Sequence, residues 1–536
     1  YVLALAQERT MREIERLMDH FPQVAHLMLG RGEERKIAFD DVKRGDILKV
    51  KPNEKVPADG VIIEGQSWVG ETMLTGEALP IYKRPNDKVF AGSLNGNGSF
   101  LMTAEKVGDE ALLSKIIDTL EVALKSKPPI QEKIDRFIAF YVPGLLLLSL
   151  LVGFGWFFAG AAPPIAVGYT VSMLLVAPSS AFALGIPMSI LIGLSLAARN
   201  GMLIRDASAL ELMEKVDTLV VDKAGVLTEG RPLLTKIFAL YPFSEVEVLR
   251  WGASVESQSE HPLAQAVVTG AKLKQVNLLK SSHFQPLEGK GVVARIDGSR
   301  VIVGNRKILE DLGVDPSSLL NEAEKWQKEG LTVSFVAIED RPVGLIAVAD
   351  PLRYTAQRIV QQLHREKLSL VLATGDSQEA AEAVGKRLGM DEVFGDVLTQ
   401  DKMALVQKLQ RNGKEVAMAG DGRIDGPALA QADVGIALSP HDDPTLFNAS
   451  ITLLKGDLKG VVRARHLSEI VMRNIRQGLI FVSVYSAIAI PLAAGILTPF
   501  FGWKISPLEG CLVGIFAAAV VLLSGLRIRD SILYQD

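Results

Sequence analysis

At 536 residues the chain exceeds what one hydrophobic core can organise, so several domains are expected. Its 58 Lys and Arg nearly balance 62 Asp and Glu, and a formal charge of −4 supplies no pull toward nucleic acid. The single cysteine, Cys511, excludes an internal disulfide and a two-thiolate metal site within the chain.

Residues 1–27 read as the cytoplasmic end of a preceding helix and a linker. Residues 28–107 are rich in Val, Ile and Gly, with turn signals at 57–60 (PADG), 84–87 (RPND) and 95–98 (NGNG), which predicts a small β-rich domain over 28–118. Helical patterning over 110–139 leads into residues 137–198, where no Asp, Glu, Lys or Arg occurs. That length accommodates two membrane crossings of about 20 residues each, with the turn at 159–164 (AGAAPP). Residues 477–503 and 510–526 are also uncharged and predict two more crossings. Lys125, Lys127, Arg136, Arg199, Arg205, Arg473, Arg476, Arg527 and Arg529 flank one side of these four segments. The positive-inside rule then places the long polar stretches in the cytoplasm, and a multi-pass protein of the plasma membrane is the default expectation for so compact a core.

Beyond the second crossing, residues 217–221 form a short apolar run ending on Asp222. The pattern recurs at 368–373, ending on Thr374-Gly375-Asp376, and at 415–419, ending on Gly420-Asp421-Gly422. Helical segments at 355–367 and 379–388 alternate with the last two, which predicts a parallel α/β sheet over 201–228 and 347–462. Three acidic loops therefore meet at the carboxyl ends of strands, where such sheets hold their sites. Residues 229–346 are too many for a connection and read as an inserted α+β domain. Residues 119–200 and 463–536 hold the linker helix, the two pairs of crossings and the tail.

Asp222-Lys223-Ala224-Gly225-Val226-Leu227-Thr228 resembles the DKTGTLT phosphorylation motif of P-type ATPases. Thr75-Gly76-Glu77, Thr374-Gly375-Asp376, Lys402 and Gly420-Asp421-Gly422 with Asp425 occur in that family's order. Ser259-Glu260-His261-Pro262, the run at 185–190 (GIPMSI) and the two-plus-two arrangement of crossings resemble its heavy-metal-transporting class. The resemblance implies a haloacid-dehalogenase-like phosphorylation domain, an inserted nucleotide domain, a β-rich actuator domain and a monomer in the bilayer that uses ATP and Mg2+.

By the same resemblance Asp222 is the carboxylate nucleophile, and Lys223, Thr374, Gly375, Asp376, Lys402 and Asp425 surround the transferring phosphoryl group. Asp222, Asp421 and the Ala224 carbonyl offer Mg2+ the hard oxygens it requires. Glu77, with Thr75 and Gly76, aligns the hydrolytic water. Glu256, His261, Gly289, Gly291, Gly304 and Asn305 match the ATP-binding positions.

Departures from the pattern fall in two places. Ala224 and Val226 replace threonines of the phosphorylation loop, and Ile424 replaces an asparagine. A lost hydrogen bond in the transition state costs about 2–4 kcal/mol. Copper-class members hold the ion with Cys-Pro-Cys, Tyr-Asn and Met-x-x-Ser-Ser; this chain has Ala177-Pro178-Ser179-Ser180, Tyr485-Ser486 and Gly514 with Ala517-Ala518. No soft thiolate stands at these positions. The candidates left at a transport site are Pro178, Ser179, Ser180 and Tyr485, with Met173, Glu509, Cys511 and Ser524 nearby. Two expectations compete: an ATP-driven cation transporter whose ion the sequence does not declare, and a degenerate relative that binds ATP without moving metal.

Overall fold

The computed structural model describes residues 22, 24–29, 33–72, 79–259, 261–287, 289–438 and 448–530. Thr75-Gly76-Glu77 lies outside them. The chain divides into two compact units, 1–215 with 439–455 and 460–536, and 216–438 with 456–459.

In the first unit the expected β-rich segment is an antiparallel six-stranded sheet in the order Glu34–Ala38, Val24–Met28, Ile47–Val50, Phe100–Lys106, Asp59–Gly65, Lys88–Val89. Leu48, Ile62, Phe100 and Met102 fill its core. Asp59, inside a predicted turn, instead opens a strand, and its buried carboxylate accepts the backbone N–H groups of Ala91 (2.8 Å) and Leu112 (2.7 Å).

The helix predicted over 110–139 is two helices, Leu112–Lys125 and Pro129–Phe158, separated at residues 126–128. The physical reason is Pro128-Pro129, because a proline disfavours helical geometry in the residue before it. Among the described residues three helices are long and apolar enough to cross a membrane: Pro129–Phe158, Lys459–Ala493 and Pro507–Leu526. The second predicted crossing is two shorter apolar helices, Pro163–Val176 and Ser179–Arg199, broken at Ala177-Pro178. Aromatic side chains tie the helix ends opposite the basic flank: Trp156 Nε1 donates to the Ala494 carbonyl (2.9 Å), and Tyr169 Oη lies 2.9 Å from Thr498 Oγ1. Such amphipathic rings favour the membrane interface.

The second unit holds two sheets. Five parallel strands run in the order Val434–Leu438, Val416–Gly420, Thr218–Asp222, Ser369–Ala373, Glu392–Phe394. Every residue of Thr218–Asp222 and Val416–Gly420 is buried, as expected where helices cover both faces. The inserted segment forms a six-stranded antiparallel sheet in the order Leu233–Ala239, Arg341–Ala349, Thr332–Ile338, Ser299–Gly304, Gly291–Ile296, Ser281–Leu287. Its last strand runs three residues past the predicted boundary at 346, because pairing with Leu233–Ala239 carries it to Ala349.

Candidate functional site

Register builds the site. Asp222 pairs with Ala373, and Val221 with Ala419, so the loops beginning at Lys223, Thr374 and Gly420-Asp421 leave the sheet at one level. Asp222 is 4% exposed at its strand end. Its Oδ1 accepts the Lys223 backbone N–H at 2.8 Å and lies 2.9 Å from Lys402 Nζ. Its Oδ2 has no hydrogen-bonding partner among the described residues. Lys402, on the helix Thr399–Arg411, also donates to Asp425 Oδ1 at 2.8 Å.

One ammonium thus serves two buried carboxylates. Burial pushes the Asp222 carboxyl up to about 6, opposed by Lys402 and reinforced by Asp425. Burial alone would lower Lys402, but Asp222 and Asp425 outweigh it and hold the ammonium above its ordinary value. Asp425 is fully buried, and its Oδ2 accepts the Asp421 N–H at 3.0 Å. Gly420 makes room for this: a Cβ there would lie 2.3 Å from Asp425 Oδ2.

Asp376 gathers three donors. Lys223 Nζ and Thr374 Oγ1 reach its Oδ2 at 2.5 and 3.0 Å, and Thr332 Oγ1 from the inserted sheet reaches Oδ1 at 3.2 Å. The Thr374 hydroxyl is thereby directed to Asp376, while Gly375 faces only an ordinary 3.7 Å contact at its Cβ direction. Thr332 was invisible in the motif pattern because its partner is 44 residues away. A hydrogen bond to a charged group contributes about 1.5–3 kcal/mol to stability, and two donors remain on Asp376, so Thr332→Val should destabilise the fold by about 1 kcal/mol. Denaturant unfolding checks this, and Thr332→Ser should restore the stability.

The loop after Asp222 turns on Gly225, whose φ is +70°. Thr228 Oγ1 accepts from the Gly225 N–H (3.0 Å) and donates to Asp350 Oδ2 (2.6 Å). Arg353 donates through Nε to the Thr228 carbonyl (2.8 Å) and through Nη2 to that of Gly225 (2.9 Å). Asp350 and Arg353 therefore clamp the loop, and sequence reasoning missed both. Their only signal was a polar Asp350-Pro351 step directly after a buried strand. Val226 points into the core, whereas Ala224 is exposed.

The Asp222 and Asp421 carboxylates and the Ala224 carbonyl are a hard-oxygen donor set suited to Mg2+, which keeps several waters and needs few protein ligands. Asp421 uses Oδ1 to accept the Arg423 N–H (2.8 Å), and no hydrogen bond occupies its other oxygen among the described residues. The residues fit the ion.

In the inserted sheet Gly291 pairs with Gly304 across a hairpin. A Cβ on Gly291 would lie 2.2 Å from the Val303 carbonyl oxygen, and one on Gly304 2.2 Å from that of Lys290. Asn305 Nδ2 donates to the Gly289 carbonyl (2.9 Å), closing the loop before Gly291. These four residues lie together at one end of the hairpin, where three glycines leave a notch in the side-chain surface. Glu256 ends the helix Glu245–Glu256, and burial pushes its carboxyl up to about 7. His261 caps the helix Pro262–Leu273, with Nδ1 accepting the Leu263 N–H (3.2 Å). No hydrogen bond links Glu256 or His261 to the notch among the described residues.

At the helix break, Pro178 is buried, and Tyr485 Oη donates to the Val176 carbonyl (2.9 Å) that the break leaves without a helical partner. The Ser179 and Ser180 side chains lie outside the described set. Gly514 packs against backbone: a Cβ there would lie 2.6 Å from the Leu175 carbonyl oxygen. A methionine at this position would push the helices apart. Two other candidates have structural partners. Glu509 accepts the Ser506 N–H (2.7 Å) in a capping box, and Ser524 Oγ donates to the Val521 carbonyl (2.8 Å) of its own helix.

A model of the P-type ATPase actuator domain matches residues 20–121, and one of haloacid dehalogenase-like hydrolases matches 216–433. A copper-exporting P-type ATPase of Legionella pneumophila is 40% identical over 526 residues, 98% of this chain and 71% of the relative. This chain belongs to the P-type ATPases, in their heavy-metal class. A copper-transporting P-type ATPase of Rhizobium leguminosarum is 44% identical over 98% of this chain, and a silver-exporting one of Salmonella typhimurium 40% over 98%. The chain spans 62% and 64% of those two relatives' lengths. A crystal structure of a zinc-transporting PIB-type ATPase in an E2·Pi state matches with a TM-score of 0.58 and 28% identity, covering 98% of this chain and 86% of that one. As a P-type ATPase with apolar helices of spanning length, the chain is a multi-pass membrane protein.

Proposed function

We propose that this chain is the core of an ATP-driven heavy-metal pump working through an aspartyl-phosphate at Asp222. The observation that carries the reading is Asp222 at the level of three converging strand ends, with Lys402 on Oδ1 and Oδ2 free to attack. Oδ2 forms a bond to the terminal phosphorus of ATP as the bond to ADP breaks. Lys402 neutralises charge on the transferring group, and Asp425 fixes Lys402. Asp376 holds Lys223 at the mouth of the loop. Asp222, Asp421 and the Ala224 carbonyl would hold Mg2+, which supplies electrophilic assistance when bound.

ATP enters the notch of Gly289, Gly291, Gly304 and Asn305, with Glu256 and His261 completing the nucleotide site, and Glu77 directs hydrolysis of the phosphoenzyme. On this reading the actuator spans 28–118, the phosphorylation domain 201–228 and 347–462, the nucleotide domain 229–346 with its last strand running on to Ala349, and the membrane part 119–200 and 463–536, with 1–27 leading in. Transport of a heavy-metal cation past the Pro178 break, close to Tyr485 and the Ser179-Ser180 pair, completes the cycle. The names of the relatives favour this reading over a degenerate ATP-binding protein.

With labelled ATP, the chain should form an acid-stable, hydroxylamine-sensitive phosphoenzyme that Asp222→Asn abolishes. Absence of label in the unaltered chain across a panel of copper, silver and zinc ions would overturn the reading.

A further inference from the structure

The helix Lys459–Ala493 carries its last charges at Arg473 and Arg476, and its uncharged run begins at Gln477. An open groove of about 620 Å³ lies at this level, lined by Glu214, Lys215, Glu469, Arg473, Arg476 and Ile480. Both acids in it are already paired: Glu214 with Arg476, and Glu469 with Arg465 at 3.3 Å. Lys215 is held by Glu211 at 2.8 Å. Arg473 is exposed and makes no ion pair or hydrogen bond among the described residues. The groove therefore carries surplus positive charge on a guanidinium whose fork fits two phosphate oxygens.

Below the groove the same helix exposes Ile480 (64%), Val484 (55%) and Ile488 (59%) at one-turn spacing. A soluble anion has no use for that stripe. An acyl chain has.

We propose that this groove binds the headgroup of an acidic phospholipid, its phosphate on Arg473 with Lys215 nearby and its chains along Ile480, Val484 and Ile488. Basic pockets at the cytoplasmic end of membrane helices are suited to such headgroups, and the attraction is short-ranged. The inference rests on the membrane-spanning reading and is independent of turnover.

The test is native mass spectrometry of the detergent-purified full chain titrated with phosphatidylglycerol and with phosphatidylcholine, without ATP. The expected result is a saturable adduct with phosphatidylglycerol, weakened about fivefold in Arg473→Gln and by less in Arg473→Lys, which keeps the charge and loses the fork. Phosphatidylcholine, whose choline cation cancels the charge of its phosphate, should bind more weakly to all three forms and respond less to the substitutions. Equal binding of the two lipids would overturn the proposal, as would displacement by millimolar inorganic phosphate, which would identify a free-anion site instead. Should Arg473→Gln fail to fold, comparison of the two lipids on the unaltered chain still decides, because only a headgroup site separates them.

Discussion

Lys402→Met will lower the rate of phosphoenzyme formation by about 10²–10³, the effect of losing one preorganised charge at a developing phosphoryl anion. The geometry sets that scale. Lys402 is the cation within hydrogen-bonding distance of Asp222, and it reaches Asp425 as well. Methionine keeps most of the side-chain volume, so the loss reads charge rather than packing. Stability should fall too, because removing one partner of a buried ionic group costs about 3–5 kcal/mol. The cost is limited by proton uptake. Asp222 is already pushed up to about 6, and without Lys402 burial drives it higher, so it becomes neutral near pH 7.

The sign of the pH dependence follows. A carboxyl raised from its ordinary 3.8 to about 6 binds its proton more tightly in the folded chain. Its favourable contribution is complete below about pH 4 and is lost as pH rises through about 6. Thermal unfolding of the unaltered chain between pH 4 and 7 should show this component, and in Lys402→Met the window should move to higher pH. A Lys402→Met protein that phosphorylates at the normal rate would remove Lys402 from the chemistry.

The core sheet was legible because its strands are short, mostly apolar and followed by loops rich in Asp and Gly. Expected runs at 217–221, 368–373 and 415–419 lie within one residue of Thr218–Asp222, Ser369–Ala373 and Val416–Gly420. That Asp222, Thr374 and Asp421 share one end followed from parallel pairing, but which lysine meets which acid did not. Lys402 spanning Asp222 and Asp425 depends on a helix docking angle that no local pattern encodes. The Asp350 and Arg353 clamp was hidden for the same reason, since Thr228 and Asp350 are 122 residues apart. At Lys127-Pro128-Pro129 the signal was present and outweighed by helical periodicity on either side. In the membrane the lost metal ligands were readable, yet the reason for Gly514 was not: only the close approach to the Leu175 carbonyl shows that a small residue is required there.

Gly291→Ala will weaken ATP binding about 10²-fold and destabilise the hairpin around it. Two costs act together. The φ of Gly291 is +145°, a region L-residues rarely adopt, and the added Cβ would lie 2.2 Å from the Val303 carbonyl oxygen and 2.5 Å from the Gly304 Cα. Those neighbours are backbone on the paired strand and cannot swing aside as a side chain would. Overpacking of this kind costs about 1–3 kcal/mol and backbone strain a similar amount, and because the free hairpin relaxes away from the binding geometry to relieve them, binding must repay the cost, enough for the expected loss of affinity. Gly289→Ala supplies the contrast: its φ is +69°, but nothing lies within 4 Å of its Cβ direction, so strain acts without a clash. About 1–2 kcal/mol of strain, relieved when the free loop relaxes and reimposed on binding, should weaken binding by roughly five- to thirtyfold. Calorimetric titration of the full chain with a non-hydrolysable ATP analogue separates the two variants. If Gly291→Ala bound nucleotide as tightly as the unaltered chain, the notch between Gly291 and Gly304 would have to be replaced by another seat for the nucleotide.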